Sequence, residues 1–347
     1  MQVSIIGGGI AGLTCAVELA GRGVAVEVLE RQSGPGPGSC SWCAGGMLAP
    51  WCELEDGIEP LIARLGLESL TWWRERFPGL HHAGTLVLAS GRDLPELRRF
   101  AQRTQQYRWL TRDEIGEIEP DLAGRFEQAL HFQDECHVDP RQALEFLADR
   151  LRELGGVIRY GISADEVDDE VDAAAPAPRR ARQVVDCRGF GARTALPDLR
   201  GVRGEMLLLR SRELTLQRPV RLLHPRWPLY VVPRDDGVFM VGATMIENDR
   251  VGAVTARSAL ELLNAAYALH PAFGEAQILE LGAQVRPAFA DNLPRIRRVG
   301  ATLYVNGLYR HGFLLAPALA VRVAQVLLHG CYYPELMHEN QGERRLA

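Results

Sequence analysis

Two stretches of the sequence carry residue types that could do chemistry. In "VNGLYRHGFLLAP", residues 305–317, Arg310 and His311 stand in an apolar, glycine-spaced run. A guanidinium there is either half of a structural ion pair, with 44 acidic residues to choose from, or a planar fork waiting for an anionic ligand. At the other end, Gly7, Gly9 and Gly12 spell G-x-G-x-x-G directly after the apolar run Val3–Ile6 and at the start of a helical pattern. In that context the first glycine permits a tight turn, the second lets backbone approach a pyrophosphate, and the third lets helix pack on strand. Glu30 ends the next extended run at the separation expected of a carboxylate that binds an adenosine ribose. Taken alone it would be an ordinary strand-end charge.

The elements that must hold these residues can be read from periodicity. "MQVSIIGGGIAGLTCAVELAGRGVAVEVLER" reads as strand, glycine turn, amphipathic helix stopped by Gly21 and Gly23, and second strand. The Gly/Pro-rich "SGPGPGS" is a surface turn by composition. "ELEDGIEPLIARLGLESLTWWRERFPG" reads as helical after its acidic bend, with Trp72 and Trp73 read as packing residues, "AGTLVLAS" is a strand and "DLPELRRFAQRTQQY" a helix. A further helix follows "HVDP", with Asp139 placed to cap it and Pro140 in its first turn. "VIRYGISADEV" and "QVVDCRGFGAR" are strand-like around a loop, "AAAPAPRRAR". The short apolar runs "GEMLLLR", "RLLHP", "PLYVVP" and "VFMVGATM" predict an antiparallel sheet. "ARSALELLNAAYALH" is a helix, and a final helix is expected after Pro317. The fold class is therefore α/β: a Rossmann-like nucleotide domain (1–80, 138–203 and 288–347) with an interleaved antiparallel-sheet α+β domain (81–137 and 204–287).

Composition narrows the chemistry. The 347 residues are 47% hydrophobic, enough for a large core, and the net charge of −5 argues against a nucleic-acid surface. The sequence contains no lysine, so all 39 basic residues are arginine and lysine Schiff-base chemistry is excluded. Seven scattered cysteines read as reduced thiols of a cytoplasmic protein. Cys40 and Cys43 form a C-x-x-C, but only Cys52 is near enough to join them, so no metal is assigned. No apolar run suggests a membrane span or a signal peptide. FAD is favoured over NAD as the dinucleotide, because the chain leaves the first βαβ unit for "SCSWCAGGMLAP" and β-rich inserts. It returns in a glycine elbow whose amides could lie against a flavin ring.

The motifs "IIGGGIAGL", "SWCAGGMLAPWCE", "RGEMLLLR", "LYVVPR", "VGATM", "VRPAFADNLPRI" and "GLYRHGFLLAP" together resemble the D-amino-acid oxidase superfamily of FAD enzymes, and within it the glycine oxidases of thiamine biosynthesis. The resemblance spans essentially the whole chain. It implies that Arg286, opening the R-P motif, and Arg310 hold a substrate carboxylate with help from Tyr230. It implies non-covalent FAD contacts by Gly7, Gly9, Ile10, Ala11 and Gly12 of the first turn and by Glu30 and Arg31 after it. Further contacts fall on Cys40, Ser41, Gly45, Gly46 and Met47, and on Val167. In the tail they fall on Gly307, Leu308, Tyr309, His311, Gly312, Phe313 and Leu314, with His311 expected to position backbone rather than act as a base.

The same resemblance implies hydride loss from the substrate α-carbon, an imine product, and O2 as the electron acceptor. Another small D- or N-substituted amino acid (sarcosine, D-alanine, D-proline), a dehydrogenase, or a non-catalytic FAD-binding subunit are the alternatives. Sarcosine oxidases of the superfamily use a lysine for oxygen activation and a cysteine for covalent flavin. This chain lacks both at the matching positions, which leaves the oxygen-activating group unassigned. A homo-oligomer and hand-off of the imine to a thiazole synthase are compatible with the sequence.

Overall fold

The computed structural model of the chain describes residues 1–56, 60–163, 182–224 and 229–337. Contacts divide the chain into two compact units, Met1–Trp42 with Arg141–Val202 and Val285–Ala347, and Cys43–Pro140 with Arg203–Gln284. The expected loop "AAAPAPRRAR" and Val167 lie outside the described residues.

The first unit is built on a six-stranded sheet. Its order is Arg295–Val299, Thr302–Asn306, Arg182–Asp186, Gln2–Ile6, Ala25–Glu30, Val157–Tyr160. All neighbours are parallel except the first pair. Central parallel strands are covered on both faces, so they read as continuous apolar runs rather than alternating ones; Val3, Ile5 and Val28 are fully buried, and so is Ser4 between them. The first helix, Ile10–Ala20, is buried along nearly all its length and packs along the last helix, Gly312–His329. That last helix starts at Gly312, five residues before the expected Pro317, and carries the proline inside it. Proline forfeits a single amide there, and the apolar face that continues through Leu314, Leu315, Ala318 and Leu319 is buried. By length and composition this helix could cross a membrane, but 67% of it is buried inside the protein, as a core helix is.

The second unit is built on an eight-stranded sheet, ordered Gln277–Ala288, Arg200–Arg210, Val238–Gly242, Leu229–Pro233, Val220–Leu223, Thr85–Ala89, Gln128–Phe132, Arg108–Thr111. The expected antiparallel pairing holds for the central strands, but Val220–Leu223 runs parallel to Thr85–Ala89. The four runs expected to pair antiparallel do so, and the parallel pair is the one that joins them to the distant strand Thr85–Ala89. Leu207, Leu209, Val231, Phe239 and Val241 point from one face into a large core closed by the helix Ala256–Leu269.

Residues 43–80, expected in the nucleotide domain, belong to this second unit. Met47–Leu48 pairs with Cys136–His137, and Ala49 and Cys52 pack with Val87, Phe132 and Leu223. Glu135 completes the attachment. Its Oε1 accepts the amides of Trp51 at 3.0 Å and Cys52 at 2.9 Å. Glu135 is fully buried, and burial, opposed by those amides, pushes its carboxyl up to about 7. The folded protein thus keeps a proton that an ordinary glutamate of the unfolded chain, at 4.5, would release. Stability from this group is therefore complete below pH 4.5 and is lost as pH rises through about 7.

The substitution Glu135→Gln keeps an oxygen for the two amides and removes the titration. Relative to it, the wild-type protein should lose about 3 kcal/mol of stability between roughly pH 4.5 and pH 8, measured by denaturant unfolding across that range. Parallel pH profiles for the two proteins would refute this.

Candidate active site

The glycine turn is set by contact distances that no side chain could tolerate. A Cβ on Gly12 would lie 1.9 Å from the Gly7 carbonyl oxygen, and Gly7 itself adopts φ +104° with its own missing Cβ 2.8 Å from the Cys187 carbonyl. The Gly7 amide donates to Leu29 O at 2.8 Å, closing the turn between the first two strands. Gly9 opens the helix with no side-chain cap. The first-turn amides of a helix have no intrahelical acceptor, and that of Ile10 is taken by Ser41 Oγ at 3.0 Å. At the end of the second strand the Glu30 carboxylate accepts the amides of Gly8 at 2.7 Å and Gln32 at 2.9 Å, while Arg31 beside it is exposed.

The tail elbow is tied to the same place. Gly307 adopts φ +75°, with a hypothetical Cβ only 2.3 Å from the Phe289 ring, and Tyr309 follows in the left-handed region at φ +49°. Tyr309 donates its amide to Pro287 O at 2.9 Å, which joins the Arg310 segment to the Arg286 segment. Cys40 Sγ donates to Val285 O at 2.9 Å, one residue before Arg286. A Cβ on Gly312 would lie 3.4 Å from Ile10 Cγ2, so the first and last helices begin side by side. His311 is buried and directly precedes the last helix; its carbonyl accepts the amide of Leu315 at 2.9 Å. Leu308, Phe313 and Leu314 are buried packing residues. Within the first unit, then, contacts link the glycine turn, Ser41, Cys40 and the segments that carry Arg286 and Arg310.

Tyr230, Gly45, Gly46 and Met47 lie in the second unit. Tyr230 is on the strand Leu229–Pro233, opposite Gly242, and a Cβ on Gly45 would stand 3.0 Å from its ring. Tyr230, Met47 and Cys43 pack against the cluster of Met206, Val232 and Met240.

A family model described as FAD dependent oxidoreductase (DAO) matches residues 2–326. The chain belongs to this DAO family. The DAO chain is 52% identical over 337 residues, covering 96% of it and 99% of the other protein, to a "Putative thiamine biosynthesis oxidoreductase ThiO" of Rhizobium etli. It is 29% identical to a "Bifunctional protein ThiO/ThiG" of Synechocystis sp., matching 100% of this chain and 54% of that one. The fold is shared with the crystal structure of a glycine oxidase from Bacillus cereus, with TM-score 0.78, 23% identity and coverage of 98% and 99% of the two chains. The protein is thus an FAD-dependent oxidoreductase.

The first unit fits that cofactor. Gly9 leaves a cradle at the helix end that a side chain would fill against Ser41 Oγ, 3.2 Å away, and helix N-termini favour phosphate. Asn306, passed over in the sequence, is buried and fixes the elbow: its Nδ2 donates to Gly189 O and its Oδ1 accepts the Gly307 amide, both at 2.8 Å. The signal for it was the polar residue closing an apolar strand immediately before a glycine.

Gly12→Ala must displace the Gly7 carbonyl. We expect FAD affinity to fall by about tenfold or more, the equivalent of a strain of 1–3 kcal/mol, in a fluorescence titration of apoprotein with FAD. Undiminished affinity would detach the turn from cofactor binding.

Proposed function

We propose that this oxidoreductase is a glycine oxidase that supplies an imine for thiazole synthesis. The observation that carries the reading is the Tyr309 to Pro287 hydrogen bond, which brings the two arginine-bearing segments together beside the glycine turn. The relative at 52% identity supports the pathway assignment.

In this reading Gly7, Gly9 and Gly12 with the first-turn amides of Ile10 and Ala11 hold the FAD pyrophosphate. Glu30, already fixed by two amides, keeps lone pairs for ribose hydroxyls. Cys40, Ser41, Gly45–Met47 and the elbow from Gly307 to Leu314 bound the flavin, with Arg31 at the outer end of the nucleotide. The chemistry FAD would supply there is two-electron oxidation at the substrate α-carbon, with O2 as the final acceptor. Arg286 and Arg310 hold the substrate carboxylate and the Tyr230 hydroxyl donates to it, so the α-carbon is presented in one orientation. The amine must be neutral before the hydride leaves, and no side chain need take a proton from carbon. His311 holds the elbow. The imine then hydrolyses to glyoxylate and ammonia or passes to a ThiG-like thiazole synthase, a pairing favoured by the fused relative. The reaction belongs in the cytoplasm and needs no membrane or nucleic acid; a homo-oligomer is compatible with it.

Peroxide formation by the FAD-loaded protein is to be measured over glycine, sarcosine, D-alanine, D-proline and L-amino acids, with anaerobic flavin bleaching alongside. Glycine should give the highest kcat/KM. Bleaching without peroxide would make the protein a dehydrogenase, and no bleaching would reject the substrate class. Arg286→Ala and Arg310→Ala should each retain FAD and lose about 10²-fold in kcat/KM, the cost of one charge-assisted carboxylate contact at about 3 kcal/mol.

A further inference from the structure

Four residues beyond Tyr230, just past the end of the same strand, stands Arg234, and the two side chains meet at the same glycine, Gly45. Tyr230 occupies the space that a side chain on Gly45 would need. Arg234 Nη2 donates to Gly45 O at 2.7 Å and lies 3.5 Å from Ala44 O. Its Nη1 donates to Val138 O at 3.1 Å, and its Nε lies 3.3 Å from Asp139 Oδ2. Val138 is also what holds the next glycine. Its amide donates to Gly46 O at 2.9 Å, and its carbonyl would be 2.2 Å from a Cβ on Gly46, which adopts φ +76°.

One planar cation therefore fastens Ala44–Gly45 to Val138–Asp139, from a strand position that also carries the tyrosine. Its side chain is only 8% exposed, so these oxygens replace water as its partners. The geometry asks for a fork: three nitrogens meet oxygens on two separate segments, and the single ammonium of a lysine cannot span them. His137, paired with Met47 and stacked on His81 at 4.6 Å, is held neutral, down to about 3, by burial first and then by His81 and Arg234.

We propose that Arg234 is a positioning residue of the active site, whose guanidinium fixes the Gly45–Gly46 backbone against the Tyr230 ring and thereby sets both where the flavin and carboxylate meet them. The proposal rests on the reading above, in which Tyr230 and Gly45–Met47 face substrate and cofactor. A residue that only supported the fold would change stability alone; this one changes the environment of the flavin and the rate at which a bound substrate reacts.

The test compares FAD-loaded wild-type protein with Arg234→Lys and Arg234→Ala. It measures the visible circular dichroism of bound flavin, the FAD dissociation constant, and kcat and KM for glycine separately. Arg234→Lys should fold with an altered flavin dichroism and lose about tenfold or more, chiefly in kcat. Arg234→Ala should regain part of its kcat with millimolar guanidinium and none with urea, which has the same shape without the charge. A lysine variant with wild-type dichroism, FAD affinity and kcat would overturn the proposal, as would an alanine variant indifferent to guanidinium. If Arg234→Ala fails to fold, the lysine variant decides. If the wild-type protein oxidises no amino acid, the glycine reading falls, while flavin dichroism and FAD affinity still judge Arg234.

Discussion

The carbonyl oxygen of Gly7 leaves no room for a side chain on Gly12, and the first unit is arranged around that approach. Because the helix starts so close to the strand, its N-terminus lies at the end of the central strand, where the amide of Gly7 can still reach Leu29 O. Because Gly8 is turned toward the second strand, Glu30 can accept its amide. The last helix meets the first at Ile10 through another absent side chain, that of Gly312. Two helix N-termini, each equivalent to roughly half a positive charge, thus open side by side. Ser41 neutralises part of that demand by accepting the Ile10 amide. Such a place favours a dinucleotide phosphate.

How legible this was in the sequence depends on the range of the interaction. The glycine turn, the helix after it and the Glu30 strand are local, and spacing alone placed them. The elbow was legible as an oddity, a guanidinium among apolar residues, but its closure on Pro287 joins residues 22 apart and no periodicity reports that. Long-range pairing hid the rest. The segment from Cys43 onward reads as a continuation of the nucleotide half, yet the amides of Trp51 and Cys52 are claimed by Glu135, more than 80 residues away. Pro317 misled for a simpler reason. A proline is a stop signal in isolation, whereas here the burial of the surrounding apolar face outweighs the one hydrogen bond it removes.

A chain without lysine must build all its cationic structure from guanidinium groups, and the second unit shows what that permits. Arg203 bonds Glu205 and the carbonyls of Arg250, Gly252 and Ala253. Arg218 bonds Glu119 and the carbonyl of Ile118. Arg234 follows the same pattern with Asp139, Val138 and Gly45. In each case one carboxylate balances the charge and other N–H groups of the same fork reach backbone oxygens. The price is desolvation, and burial raises the Glu119 carboxyl even beside Arg218. What the arrangement secures is geometry, since five donors in one plane admit few alternative placements.

The pair proposed to bind substrate lies on segments joined by a backbone contact. Arg203, within a strand, and Arg218 and Arg234, just outside strand ends, bond carboxylates and carbonyls nearby. Arg286 and Arg310 sit instead where a strand end and a glycine elbow are locked together by backbone, through Tyr309 and Pro287. The net charge of −5 does not oppose this assignment. An amino acid is a zwitterion with no net charge for the protein's overall field to repel, and at physiological salt that field is screened beyond about 8 Å. Recognition of such a substrate has to come from groups at contact range. In the proposed reading, an elbow carrying one guanidinium, bonded to a strand end carrying another, would supply them.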